Sequence, residues 1–270
     1  MLTGRREGRH RAWQAICRSG GDRREAAPIT AAILVIGDEI LSGRTKDRNI
    51  GTIADHLTAI GIALSEVRIV PDIETEIVEA VNALRGRYDY VFTTGGIGPT
   101  HDDITADSIA KAFGVAIDVD PRAVAVMKPY YASRGIELTA ARLRMARIPA
   151  GADLIANTVS AAPGFVMGNV VVMAGVPHIM QVMLTEVTPR LRTGPRMHSQ
   201  TLAVARAEGE IAELFARHQA AFPDVVMGSY PCLREGKPCA DLVLRSTNPQ
   251  RLLDAMQQLQ AQLEAAGHLG

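Results

Sequence analysis

The chain has 270 residues, and its 29 basic side chains are balanced by 29 acidic ones. This balance gives no overall field that would favour nucleic acid or an anionic membrane surface as a partner. Hydrophobic residues make up 47% of the chain but aromatic residues only 4%. The core is therefore built from aliphatic side chains, which favours helices packed on a parallel sheet over a β-sandwich.

Signals for compartment and targeting are sparse. The three cysteines, Cys17, Cys232 and Cys239, contain no CxxC pair, which predicts neither a disulfide framework nor a zinc ribbon and favours a cytoplasmic protein. Every apolar run is broken by Gly, Pro or polar residues, so we expect no membrane-spanning helix. Residues 1–28 are rich in arginine and predict a disordered tail or a start codon assigned too far upstream, although such a start also fits an organelle transit peptide.

Strands and helices alternate after this tail. Three short apolar runs predict buried strands, and three segments with helical spacing of apolar residues predict helices. In chain order these six elements cover residues 31–36, 50–60, 62–70, 77–84, 88–93 and 105–114. Such an order predicts a parallel sheet with right-handed crossovers.

The rest of the first domain and a second domain follow. Asp120-Pro121 opens a helix, a second helical stretch covers 139–145, and Gly168-Asn169 predicts a hairpin turn before a helix that starts at Gly175-Val176-Pro177. A linker at 193–195 precedes a β-α-β-β-α pattern. We therefore expect a doubly wound, mostly parallel α/β domain over 29–193 and a small α+β module over 197–270.

The third predicted strand runs directly into the glycine-rich loop Thr94-Gly95-Gly96-Ile97-Gly98-Pro99-Thr100. Glycines allow positive φ and close backbone approach, so successive amides can form a nest for an anion, with the start of the next helix at Thr105 behind them. The loop is neither a GxGxxG dinucleotide fingerprint nor a Walker motif. A tight strand-to-helix turn without a ligand is the alternative interpretation.

Acidic residues follow the end of each of these three strands, where ligands of parallel α/β proteins bind. They are Asp38, Glu39, Asp47, Asp72, Asp102 and Asp103. Because two carboxylates beside a phosphate nest would repel a bare anion, a divalent cation such as Mg²⁺ held by Asp102 and Asp103 is the economical prediction. The alternative is that one of the two caps the helix. His101 fits a surface residue better than a ligand.

Six stretches together resemble the molybdopterin-binding (MoaB/Mog-type) domain family, and within it the N-terminal part of CinA-type proteins. They are residues 37–43, 47–49, 70–72, 93–105, 162–165 and 175–177. The resemblance implies a pterin- or nucleotide-like ligand, with molybdopterin as one candidate, a homo-oligomer (dimer or trimer), and catalytic roles for Asp72 and Asp103 with Mg²⁺. Glu39 or Asp38 is in addition a candidate general base. The implied ligand-binding residues are Gly37, Asp38, Asp47, Asn49, Thr94, Gly95, Gly96, Gly98, Pro99, Thr100, Thr105, Pro163, Gly164, Gly175 and Pro177.

The resemblance also implies an activity, namely metal-dependent hydrolysis of a pyrophosphate of the ADP-ribose or FAD class. A non-catalytic binding module and a molybdopterin adenylyltransferase are the alternatives. The module at 197–270 resembles the one that follows this domain in CinA, whose later amidohydrolase domain we do not expect here. Because the module lacks a GxxG loop and its acids outnumber its bases, we expect no RNA binding. Ser160 replaces a glycine found in some relatives after Asn157.

Overall fold

The computed structural model describes residues 28–269. The predicted tail, residues 1–28, lies outside the described residues except for its last position. No helix of the described part is both long and apolar enough to cross a membrane.

The predicted domain at 29–193 forms a layered α/β structure. Its strands are β1 (Ile29–Ile36), β2 (Ile62–Val70), β3 (Tyr90–Thr94), β4 (Ile117–Val119), β5 (Arg147–Pro149), β6 (Asp153–Ile155), β7 (Gly164–Met167) and β8 (Val170–Met173). Its helices are α1 (Asp38–Leu41), α2 (Asn49–Ala59), α3 (Glu74–Arg85), α4 (Thr105–Phe113), α5 (Pro121–Ala132), α6 (Ala140–Leu143) and α7 (Pro177–Val187), with 3₁₀ turns at Arg144–Ala146 and Thr188–Arg190.

Six of these strands form one sheet in the order β2-β1-β3-β8-β7-β6. β1 pairs in parallel with β2 and β3, and β3 pairs in parallel with β8, whereas β7 is antiparallel to both of its neighbours. The mostly parallel sheet and the hairpin at Gly168-Asn169 are therefore confirmed. The sequence missed β4, β5 and β6, because strands of three residues are too short to show a period.

Helices cover both faces of this sheet. β1 is buried on both sides, so its successive side chains enter different cores. Leu34 packs in a core with Ile77 of α3 and Ile109 of α4. Ile33 packs in the opposite core, which contains buried residues of α2 and α7. This arrangement places the loops that follow the parallel strands together at one edge.

Local sequence signals set the helix ends near that edge. The Asp120 carboxylate accepts a hydrogen bond from the Arg122 amide at 2.7 Å, and Pro121 occupies the first turn of α5, as predicted. α4 ends at Gly114, whose φ of 66° is the left-handed conformation that favours glycine. The segment after β1, predicted to be a loop, contains the single helical turn α1.

The C-terminal module has the predicted β-α-β-β-α order. Its elements are β9 (His198–Val204), α8 (Glu208–Ala221), β10 (Val226–Arg234), β11 (Lys237–Ser246) and α9 (Pro249–Ala265). The three strands form an antiparallel sheet in the order β10-β11-β9. Val204, Leu242 and Leu259 are fully buried in a core of its own.

One sequence prediction about the module was wrong. Cys232 and Cys239 form a disulfide between β10 and β11. The two residues are direct partners in the antiparallel register, and their Cα atoms lie 4.9 Å apart, which is within the range that a disulfide spans. A count of cysteines cannot reveal this pairing, because it depends on the register of the hairpin.

Candidate functional site

The ends of β1, β2 and β3 meet at one edge of the sheet, as their parallel pairing requires. The amide of Asp38 donates to the Asp72 carboxylate at 2.9 Å, and the amide of Gly37 donates to the carbonyl of Val70 at 3.2 Å. These bonds join the loop after β1 to the loop after β2. The glycine loop after β3 lies beside them, because a Cβ on Gly95 would come within 2.1 Å of the Ile36 carbonyl oxygen.

Two glycines of the loop have conformations that other residues rarely adopt. Gly95 has φ of 103° and Gly96 has φ of 66°. A Cβ on Gly96 would lie 2.1 Å from the Thr105 hydroxyl oxygen. That hydroxyl donates to the Gly95 carbonyl at 3.0 Å, and the Thr105 amide donates to the Gly96 carbonyl at 2.9 Å. The buried Thr105 thus ties the loop to the first turn of α4.

The amides of this loop differ in whether the protein itself uses them. The Gly95 amide donates to the Met173 carbonyl at 3.2 Å. The amides of Gly96, Ile97 and Gly98 have no acceptor among residues 28–269. Three consecutive unused donors ahead of a helix N-terminus form the kind of nest that binds an anion.

Asp103 supports this loop from within. One of its carboxylate oxygens accepts from the Thr100 amide at 2.8 Å and also from the Thr100 hydroxyl. A Cβ on Gly98 would lie 2.6 Å from that carboxylate. The helix N-cap position is Ile104, and no side chain caps it, so the alternative role of Asp102 or Asp103 as the cap of α4 was wrong.

The Asp72 carboxyl is influenced by three other acids of the loops at this edge. Partial burial raises the pKa of the Asp72 carboxyl, and the negative charges of Asp38, Glu39 and Asp102 raise it further, while the hydrogen bond from the Asp38 amide acts in the opposite direction. The Glu39 carboxylate packs against Gly37, because a Cβ built on Gly37 would lie 2.7 Å from its oxygens. Acids from the loops after β1, β2 and β3 thus act on one carboxyl group, that of Asp72, and their predicted joint role in binding stays a prediction.

The described carboxylates do not form a metal site by themselves. Across residues 28–269, no three or more His, Cys, Asp or Glu side chains are grouped in a way that could hold a metal ion by themselves. The Asp102 side chain is 64% exposed, and its negative charge contributes to the raised pKa of Asp72. One or two carboxylates completed by phosphate oxygens and water are typical of Mg²⁺. The side chain of His101 is fully exposed, as expected of a surface residue.

Two arginines that the sequence did not single out lie beside the glycine loop. The Arg144 guanidinium donates to the carbonyls of Thr100 at 3.1 Å and Asp103 at 3.4 Å, and Arg147 forms an ion pair with Asp107 at 2.5 Å. They line a cleft whose walls are Gly96, Ile97, Gly98, Asp103, Ala106, Asp107, Arg144, Met145, Arg147, Ile148, Pro163 and Phe165. No motif marks these arginines, because the 3₁₀ turn that holds Arg144 and the strand β5 that begins at Arg147 come to the loop only through the tertiary structure.

The remaining predicted residues surround this edge in several ways. The Asp47 carboxylate accepts from the Ile50 amide at 2.8 Å, as a helix-capping side chain does, and the buried Asn49 amide group donates to the Gly175 carbonyl at 2.8 Å. A Cβ on Gly175 would lie 3.2 Å from the Gly95 Cα atom. Gly175 thus allows the helix α7 to begin against the glycine loop.

Four other predicted positions have mainly structural surroundings. Gly164 lies in β7, where a Cβ would come within 2.5 Å of the Val172 carbonyl oxygen, and Thr94 is buried at the end of β3. Pro177 occupies the first turn of α7, and Pro99 is exposed. Their ligand contacts stay predictions.

The loop with Ser160 is closed by its own hydrogen bonds. The Asn157 side chain donates to the Ser160 hydroxyl at 2.6 Å and the Ala162 carbonyl at 2.8 Å, and it accepts from the amides of Val159 and Ser160. Ala161 has a positive φ of 62°. This loop turns the chain so that Pro163 reaches the cleft.

Comparison with known proteins places this site in a family. A family model described as "Probable molybdopterin binding domain" matches residues 32–193, which contain the whole edge described above. The chain belongs to this family. Residues 196–268 match a second model, described as "FAD synthase, middle domain", and not an amidohydrolase domain.

Individual relatives agree with this assignment. A protein of Pyrobaculum calidifontis is 36% identical over 75% of this chain and 80% of its own length, and a CinA-like protein of Desulfosudis oleivorans is 38% identical over 73% of this chain and 51% of its own length. The chain thus spans about half of that CinA-like protein. The crystal structure of CinA from Thermoplasma acidophilum, a protein described as of unknown function, is 35% identical with a TM-score of 0.56, covering 61% of this chain and 99% of that one.

Proposed function

We propose that this protein binds a phosphate-bearing nucleotide- or pterin-like ligand in the glycine loop and hydrolyses a pyrophosphate of the ADP-ribose or FAD class with a divalent cation. The observation that carries the proposal is the row of amides at Gly96, Ile97 and Gly98, which have no acceptor among residues 28–269. Because successive free amides in a glycine loop ahead of a helix are a typical site for an anion, they favour a bound anion over a simple turn.

The acids beside the loop support hydrolysis over binding alone. When bound, a divalent cation held by Asp102 and phosphate oxygens supplies charge screening and a more acidic water. Asp72 fixes the start of α1 through the Asp38 amide, and this holds the neighbouring Glu39 at the site. We assign Glu39 as the general base: its carboxylate takes a proton from the water as the water oxygen bonds to one phosphorus of the pyrophosphate, the bridging P–O bond breaks, and AMP and the second phosphomonoester are released.

The family and module matches support the choice of substrates. The name of the first family supports a pterin ligand, and the name of the second supports FAD as a substrate to test. Both ligands combine a flat ring system with phosphate groups, so one glycine loop serves either. We further propose that the protein acts as a homo-oligomer in the cytoplasm, where the paired Cys232 and Cys239 would be kept reduced.

The test is release of AMP from ADP-ribose or FAD in the presence of Mg²⁺ or Co²⁺. We expect turnover by the wild type and a loss of about 10²- to 10⁴-fold in the Glu39→Gln variant, which is the usual contribution of a general base. Glu79→Gln is the matched control, because Glu79 is an exposed residue of α3 outside the site. Equal turnover by Glu39→Gln and the wild type would remove Glu39 from the mechanism.

A second candidate function is binding of the same ligand without turnover. It is favoured by the Asp103 carboxylate, whose hydrogen bonds already go to Thr100, and by the lack of a three-ligand metal cluster among the described residues. Calorimetry that shows binding of ADP-ribose or FAD without product would support this function. Formation of an adenylylated pterin from ATP would instead support the adenylyltransferase alternative.

A further inference from the structure

The hairpin of β10 and β11 carries two cysteines on the face of the module's sheet that points away from α8 and α9. Cys232 and Cys239 are direct partners in the antiparallel register, and their Cα atoms lie 4.9 Å apart. Ala240 and Leu242 of β11 belong to the core that the helices cover. Because side chains alternate between the two faces of a strand, Cys239 and its partner lie on the opposite face.

The two cysteines differ in exposure. Cys239 is 3% exposed, whereas Cys232 is half-buried and precedes Leu233, which is 76% exposed. The residues that connect the cysteines, 233–238, are all exposed. A reagent dissolved in water therefore reaches Cys232 first, and the two sulfur atoms can meet or separate without a change in the core.

Charged side chains surround the cysteine pair. Arg234 precedes the pair and Asp241 follows it on the same face, and the Arg234 Nη2 atom lies 2.6 Å from the Asp241 Oδ1 atom. This ion pair therefore passes across the two cysteines. Lys237, the direct partner of Arg234 in the register, adds a second positive charge. Cationic neighbours favour the thiolate, which is the nucleophile in thiol–disulfide exchange.

We propose that Cys232 and Cys239 are a reversible dithiol–disulfide pair, and that Cys232 is the residue that reacts with a small disulfide of the glutathione type. The Cys232 thiolate attacks one sulfur of that disulfide, forms a mixed disulfide and releases one small thiolate. The Cys239 thiolate then attacks the Cys232 sulfur and displaces the second small thiolate. Two protein thiols are thus oxidised, one small disulfide is reduced to two thiols, and the two protons pass from the protein thiols to the released thiolates.

The position of the pair favours a reversible bond over a permanent one. Thiols are kept reduced in the cytoplasm, so the dithiol is the resting form there. Exposed disulfides are among those that are reduced most readily. The core of the module is built from other residues, such as Val204 and Leu259, so the module keeps its fold in both forms. Oxidation then changes only the outer end of the hairpin. This inference does not depend on the ligand site.

The experiment equilibrates the full chain, in a Cys17→Ser background, with mixtures of reduced and oxidised glutathione at one total concentration. Alkylation followed by mass spectrometry reads the state of the two remaining cysteines. We expect the dithiol and the Cys232–Cys239 disulfide to interconvert as the ratio changes, in both directions. A disulfide that survives reduced glutathione alone would be a permanent bond and would overturn the proposal. A pair that remains reduced, or that stops at glutathione adducts, in oxidised glutathione would also overturn it.

Single variants test the order of attack. Cys239→Ser keeps the more exposed thiol and should accumulate a mixed disulfide with one glutathione. Cys232→Ser keeps the buried thiol and should react about 10-fold more slowly. Equal rates would refute the role of Cys232. If a variant does not fold, a brief pulse of iodoacetamide on the reduced Cys17→Ser chain, followed by peptide mapping, gives the same comparison, with Cys232 expected to be labelled first.

The contribution of the charges has its own test. Arg234→Gln removes the cation that crosses the pair and should slow the reaction of Cys232 with oxidised glutathione by about 2- to 10-fold at neutral pH. Arg217→Gln is the matched control, because Arg217 forms a similar exposed ion pair with Glu213 on α8 and should leave the rate unchanged. Equal rates in the two variants would refute the role of Arg234 in activating the thiol.

Discussion

Replacing Gly96 by alanine tests whether the glycine loop needs its exact backbone path. Gly96 has φ of 66°, and a Cβ there would lie 2.1 Å from the Thr105 hydroxyl oxygen. Thr105 is fully buried and donates to the Gly95 carbonyl at 3.0 Å. The substitution therefore combines an unfavourable backbone conformation with a collision inside the site.

Two terms set the expected loss of stability. A residue with a Cβ in the left-handed conformation costs about 1–2 kcal/mol. Displacing the Thr105 hydroxyl removes a buried hydrogen bond and leaves the Gly95 carbonyl without this donor, which costs about 1–3 kcal/mol. Together they predict a loss of about 2–5 kcal/mol, which for a domain of this size lowers Tm by about 5–20 °C.

Differential scanning calorimetry at neutral pH measures the effect, with Gly43→Ala as the matched control. Gly43 also has a positive φ, 71°, but nothing lies within 4 Å of a Cβ built there. The control therefore carries only the backbone cost of about 1–2 kcal/mol. The difference between the two variants isolates the contact with Thr105.

The reasoning also predicts a functional effect of Gly96→Ala. Because the Gly96 amide belongs to the proposed anion nest, the variant should bind pyrophosphate more weakly than Gly43→Ala does, even at temperatures where both are folded. If Gly96→Ala were no less stable than Gly43→Ala, Thr105 would not hold the loop as described. Equal pyrophosphate affinity would separately contradict the nest.

Three further predictions concern stability. Asp120→Ala removes the acceptor for the Arg122 amide at the start of α5 and should cost about 0.5–2 kcal/mol by chemical denaturation, a result that an unchanged midpoint would contradict. Hydrogen bonds from the Thr30 amide, and then from its hydroxyl, lower the pKa of Asp89, so the folded state binds fewer protons at Asp89 than the unfolded state does. The stability that Asp89 contributes is therefore present above about pH 4 and is lost below that pH. Asp89→Asn should destabilise the protein at pH 7 but not at pH 2. Burial lowers the pKa of His218, so the unfolded state takes up a proton at a higher pH than the folded state does. The C-terminal module should therefore lose stability as the pH falls below about 6.5. Thermal melts between pH 5 and 8 should show a weaker pH dependence in His218→Gln.

The sequence by itself determined the main elements and the location of the candidate site. The apolar run of β1 reads as a buried strand because both of its faces are covered, and Gly114 and Asp120 mark helix ends through their local conformational preferences. The glycine loop was visible because three glycines in four residues have few structural uses. These signals are local, so no tertiary information was needed to find them.

The tertiary structure alone decided which residues share the cleft and what each carboxylate does. Arg147 reaches the glycine loop at the start of β5, a strand too short to show a period, and Arg144 lies in the 3₁₀ turn just before it. Their distance in sequence from the loop hides the contact. Asp103 was predicted to hold a metal or cap a helix; it does not cap α4, because its Oδ2 atom accepts from Thr100, and its metal role stays a prediction. The disulfide between Cys232 and Cys239 likewise depends on strand register. In each case the decisive quantity is a distance between segments, which composition and spacing do not contain.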